Sequence, residues 1–75
     1  MNQLRHTIPA DMRQLYHADG RPVRVGDRVS FRETVYWVTG WPKNGHNRVW
    51  VQTAGGTGEM EFFPSVFDLV WGPPL

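Results

Sequence analysis

From Val23 to Trp71 the chain falls into short runs in which apolar and polar residues alternate, separated by turns rich in glycine and proline. A period of two is the signature of half-buried β-strands. Val23 and Val25, then Val29 and Phe31, give the apolar positions of a first strand. Gly26-Asp27 interrupts them and predicts a bend or bulge. Thr34 to Gly40 is the second strand, with Val35, Trp37 and Thr39 on one face and Tyr36 and Val38 on the other. A polar loop follows over 41–47, in which Asn44-Gly45 predicts a type I′ turn. Residues 48–53 alternate again, 54–58 form a glycine-rich turn, and 59–63 resume a strand with Met60 and Phe62 on one face. Pro64 lacks a ladder donor, so 64–68 predicts a 3₁₀ turn before a last strand at 69–71.

The first 20 residues lack this alternation. Residues 9–16 suit two helical turns. Pro9 stands at an early helical position, and Met12, Leu15 and Tyr16 fall on one side at i, i+3 and i+4. Asp19-Gly20-Arg21-Pro22 is a turn. The expected organisation is an N-terminal arm over 1–20, a β-domain over 21–72 and a tail over 73–75. The expected fold is all-β: a small five-stranded barrel, with a short N-terminal arm or helix and a 3₁₀ turn before the last strand. Closure into a barrel would remove exposed edges from a very small sheet.

Composition narrows the chemistry. The chain has 75 residues, enough for one domain. It has no cysteine, which excludes a disulfide framework, a zinc-thiolate site and a cysteine nucleophile. Its net charge of +1 lacks the basic excess of a dominant non-specific DNA binder. No apolar stretch follows Arg5 and His6, and no run approaches the roughly 20 residues of a membrane span. A cytoplasmic protein with no membrane contact is the expectation. His6, His17 and His46 lie far apart without carboxylates at ligand spacing and are expected at the surface. Neither Ser30 nor Ser65 sits in a nucleophile elbow. The loop 54–58 is followed by a strand rather than a helix and contains no lysine, so it is read as a hairpin turn, not a phosphate cradle. No catalytic residue, metal site or cofactor is expected.

Val25-Gly26-Asp27-Arg28-Val29, Val38-Thr39-Gly40-Trp41 and Phe62-Phe63-Pro64-Ser65-Val66-Phe67-Asp68-Leu69-Val70 resemble, in that order, the small SH3-like barrels of the KOW and Tudor kinds. The resemblance covers residues 23–71 and implies an SH3-like fold, which hosts many unrelated activities. The same layout is distantly similar to the plasmid-borne type II dihydrofolate reductases, which assemble as tetramers around a pore and use NADPH. Gly26-Asp27-Arg28-Val29, Gly40-Trp41 and Phe63-Pro64 match that family's layout. Its pore strand reads Val-Gln-Ile-Tyr, where this chain has Met60-Glu61-Phe62-Phe63, and its lysine after the first element has no clear counterpart among Ser30, Phe31 and Arg32. The added carboxylate of Glu61 would repel an anionic cofactor. Size and the loose Gly-Asp-Arg-Val start also look like the small accessory proteins of bacteria or their phages.

The reading that follows is a small non-enzymatic binding or adaptor module, directed at a protein partner or at copies of itself. A nucleic-acid-binding barrel is one alternative and a type II reductase-like homotetramer the other. Four tryptophans exceed what one small interior needs. Trp37, Phe62 and Phe67 are expected in the core. Tyr36, Trp41 and Trp50 are expected as an exposed aromatic platform. Arg24, Arg28, Lys43 and Arg48 would supply a modest basic patch beside it, offset by Glu59, Glu61 and Asp68. The partner-binding set is therefore Tyr36, Trp41, Trp50, Arg24, Arg28, Lys43 and Arg48.

Overall fold

The computed structural model describes residues 14–43, 45–56 and 58–75. The order is β1 (Gln14–Tyr16), β2 (Arg28–Phe31), β3 (Thr34–Gly40), β4 (Val49–Thr53), β5 (Met60–Phe62), a 3₁₀ turn (Pro64–Phe67) and β6 (Val70–Gly72). The fold is all-β. β2-β3-β4-β5 form one antiparallel meander, and β1 pairs with β6 in a second, two-stranded sheet. Six strands in two sheets, with no ladder closing them into a barrel among the described residues, replace the five-stranded closed barrel expected from the sequence. No described helix is long and apolar enough to cross a membrane.

The sixth strand comes from the segment expected to be helical. Gln14–Tyr16 is extended and pairs antiparallel with β6, Leu15 opposite Trp71. The physical reason is burial: Leu15 is fully buried in the shared core, and its carbonyl accepts the Val23 N–H at 2.8 Å. Three extended residues with a ladder on one side and a loop on the other satisfy more backbone groups than one exposed helical turn would. Residues 9–13 of the expected helix lie outside the described residues. Tyr16 then ties down the tail. Its ring lies across Gly72, where an added Cβ would stand 2.6 Å from Cε1, and its hydroxyl donates to the Pro73 carbonyl at 2.6 Å.

The first expected strand is cut short at its bend. Val23 and Val29 are buried as expected, but Val25 is 70% exposed. Gly26, at φ 96°, turns the chain there, and Val25 stands at the tip. The Gly26 N–H donates to the Val38 carbonyl at 2.7 Å and the Asp27 carbonyl accepts the Val38 N–H at 2.8 Å, so the turn prolongs the β2–β3 ladder. The expected 3₁₀ turn is present. Pro64 starts it, and Asp68 closes it in the left-handed region at φ 59°.

The core lies between the two sheets. Leu15, Val23, Val29, Val38, Trp41, Val49, Val51, Phe67 and Leu69 are buried, with Phe31, Tyr36, Phe62, Val66 and Trp71 packed against them. Each fully buried valine or leucine stabilises the fold by about 1.5–3 kcal/mol. Val49 and Val51 on β4 and Val38 on β3 point inward, so the residues between them on the same strands point outward.

Candidate functional site

Alternation fixes the outer face of the four-stranded sheet. Val29 is buried, so Arg28 and Ser30 face out on β2. Val38 is buried, so Trp37 and Val35 face out on β3. Val49 and Val51 are buried, so Trp50 and Gln52 face out on β4. The ladder register places Arg28 opposite Trp37, and Trp37 opposite Gln52. One row across three strands therefore reads arginine, tryptophan, glutamine.

A second row lies beside it. A bulge between Val38 and Gly40 shifts the register, so Gly40 pairs with Trp50, which in turn pairs with Glu61 on β5. The Trp50 ring packs on the bare Gly40 backbone, where an added Cβ would lie 3.2 Å from Cε3. The Trp50 indole N–H donates to Glu61 Oε2 at 3.0 Å. The Thr39 hydroxyl donates to Glu59 Oε2 at 2.7 Å, which brings a second carboxylate over the same face. The Arg48 guanidinium stands 4.4 Å over the Phe63 ring and 3.9 Å from Glu61 Oε1. That ion pair is exposed and loosely spaced, so its contribution is small.

Of the residues expected to bind a partner, Arg28, Trp50 and Arg48 come together on or beside this outer face. Tyr36 and Trp41 do not. Tyr36 turns inward and meets Phe62 and Phe67 edge-to-face, with ring centroids 5.4 and 5.3 Å away. Trp41 is 7% exposed and belongs to the core. Lys43 covers what remains of it, with Nζ 4.1 Å from the Trp41 ring. Arg24 is exposed in the turn before β2, off the sheet. Phe67 is buried and Phe62 packs on the core, as expected, but Trp37 is not part of the core. Tyr36 and Trp37 thus exchange the faces assigned to them from sequence. Both faces of β3 are apolar, so polarity alone does not choose between them. The valine pair of β4 does, once the β3–β4 register is known.

Trp37 is the residue missed as a contact. Trp50 and Trp71 bind Glu61 and Asn47 through their indole N–H groups, and Trp41 is buried beneath Lys43. Trp37 is half-buried at the centre of the outer face, and neither a hydrogen-bond partner nor a cation reaches it among the described residues. An indole N–H in a part-desolvated position ordinarily finds an acceptor.

His17 is also misplaced by sequence. Its side chain is 14% exposed, and its Nε2–H donates to Asp27 Oδ2 at 2.8 Å. The same carboxylate oxygen accepts the Arg24 N–H at 3.0 Å. The His17 hydrogen bond, followed by the Arg24 amide, holds the Asp27 carboxyl below its ordinary range. Asp19 is held low chiefly by the Arg21 amide and then its guanidinium, and Arg21 is raised in return. Among the described residues no group of three histidine, aspartate or glutamate side chains is placed to hold a metal ion. No protein-family model, curated protein or solved structure matches the chain.

Proposed function

We propose that this chain is a small non-enzymatic binding module of SH3-like build that recognises a protein partner through the outer face of its four-stranded sheet. The SH3-like reading is supported by the order of elements. A meander of β2 to β5 runs into a 3₁₀ turn, and the last strand pairs back with the first. The Gly26-Asp27-Arg28-Val29 start adds to it.

The observation that carries the functional reading is Trp37, an indole without a partner among the described residues, flanked by Arg28 and Gln52 on the four-stranded sheet. Tryptophan and arginine dominate the energetics of protein interfaces, because they combine large contact area with directed donors. The nucleic-acid alternative is weaker. Lys43 is engaged with Trp41, Arg48 lies between Phe63 and Glu61, and Glu59 and Glu61 share the face with the remaining arginine. A phosphate backbone needs a basic face free of carboxylates.

The test is selection of peptides from a random displayed library on the protein and on its Trp37→Ala variant, with labelled single-stranded DNA and RNA titrated at low salt in parallel. Peptides that bind the parent and lose at least about tenfold in affinity on the variant support the reading. Binding indifferent to Trp37, or binding of nucleic acid alone, overturns it.

A further inference from the structure

The geometry points to a second copy of this chain as the occupant of the outer face. This inference rests on the reading of that face as the binding surface, and it follows from the order of chemical groups along the Trp37 row. Arg28 on β2, Trp37 on β3 and Gln52 on β4 are register partners. Val51 pairs with Met60, so the same row continues onto Glu59, the residue before β5. The Thr39–Glu59 hydrogen bond confirms that Glu59 reaches over the outer face.

Read from β2 to β5, the row offers a donor, a donor, an amide that both donates and accepts, and an acceptor. The arginine guanidinium and the indole N–H only donate, the carboxylate only accepts, and the amide carbonyl of Gln52 accepts. Arg28, Trp37 and Gln52 have no side-chain hydrogen-bond partner among the described residues, and Glu59 keeps Oε1 free of the Thr39 bond. Such a row is complementary to itself when reversed. A twofold axis parallel to the strands, passing between β3 and β4, lays β2 over β5 and β3 over β4 of the second copy. Arg28 then meets the second copy's Glu59 and Trp37 meets its Gln52, each contact occurring twice. That is the isologous pattern of a twofold dimer. Two sheets stacked this way lie about 10 Å apart with strands aligned within about 30°. A foreign partner would have to supply all four groups in reversed order. This chain already carries them.

The face is small. Three inter-strand steps make it about 14 Å wide, and the seven residues of β3 about 23 Å long. Its footprint is well below the roughly 800 Å² per partner of a standard interface, so the dimer is a reversible one, of micromolar strength or weaker.

Sedimentation equilibrium on the full chain, up to about 1 mM protein, tests this. The expected result is a monomer–dimer equilibrium. Arg28→Glu and Glu59→Arg each weaken it by about tenfold or more, because each places like charges opposite one another. An equimolar mixture of the two variants regains association, since glutamate at 28 in one copy then faces arginine at 59 in the other, and the original pair is kept across the axis. Arg24→Glu, off the row, leaves the equilibrium unchanged. Circular dichroism of each variant verifies folding. A dimer indifferent to both substitutions, or a mixture that fails to recover, overturns the inference. A monomer that still binds peptides in a Trp37-dependent way overturns the second copy alone. A monomer that binds none overturns the functional reading with it.

Discussion

Asp27 joins two stretches of chain through a single oxygen. Its Oδ2 accepts from His17 Nε2 and from the Arg24 amide, so the turn before β2 is held to the segment after β1. Both bonds favour the ionised form, which lowers the carboxyl below its unfolded value. A lowered acid stabilises the fold above the unfolded value, near 3.9 for aspartate, and that stabilisation is lost as pH falls through the folded value. Thermal melts between neutral pH and about pH 2.5 should therefore show Asp27→Asn less stable than the parent at pH 7, with the gap closing below about pH 4. A gap that stayed constant across that range would contradict the assignment. Nothing in the sequence announces this pair. His17 and Asp27 are ten positions apart, and their segments meet through a tight reversal in which the Leu15 carbonyl accepts from Val23, Tyr16 bridges Pro22 and the His17 N–H donates to the Arg21 carbonyl.

The β2–β3 hairpin shows an element whose position was legible and whose strain was not. Phe31 pairs with Thr34, so Arg32-Glu33 is a two-residue loop, and both residues have positive φ, 51° and 68°. That geometry suits Asn-Gly, because a side chain in the left-handed region costs about 1–2 kcal/mol per residue. Replacing Arg32 by Asn and Glu33 by Gly together should stabilise the protein by about 1 kcal/mol, read as a higher urea midpoint at unchanged slope. The strands on either side were easier. Thr34–Gly40 has the bounds its β-branched and aromatic residues imply, and β4 lies within 48–53. The N-terminal strand was harder. Three residues, Gln14, Leu15 and Tyr16, are too few to display a period of two, and the i, i+3, i+4 spacing with Met12 mimics a helix. The candidate site suffered in the same way. Trp50, Arg28 and Arg48 were placed by pattern, but the tyrosine–tryptophan exchange on β3 needed the register, which is a property of pairs of strands.

At the scale of the molecule, two sheets share one core and neither has a core of its own. Leu15 from the two-stranded sheet and Val38, Val49 and Val51 from the meander belong to the same cluster. Unfolding should therefore be a single transition. Leu15→Ala should cost about 2–5 kcal/mol, and fluorescence of the four tryptophans and far-ultraviolet circular dichroism should shift together. Two separate transitions, or a Leu15 variant that loses only β1, would show that the sheets are independent. The sequence could suggest a compact β-domain of one layer folded on itself. It could not pair β1 with β6, because the partners are more than 50 positions apart and no local pattern encodes which distant strand a three-residue segment meets.

That pairing sets how tension would travel through the domain. Gln14 stands opposite Gly72, and the ladder runs from there inward to Tyr16 opposite Val70. A pull applied through the two flanks thus arrives at the same end of the ladder. Antiparallel hydrogen bonds lie across the strands, so such a load meets them in sequence and peels β1 from β6 like a zip, instead of sliding one strand along the other against all of them together. The first fastening on that line is the Tyr16 hydroxyl on the Pro73 carbonyl.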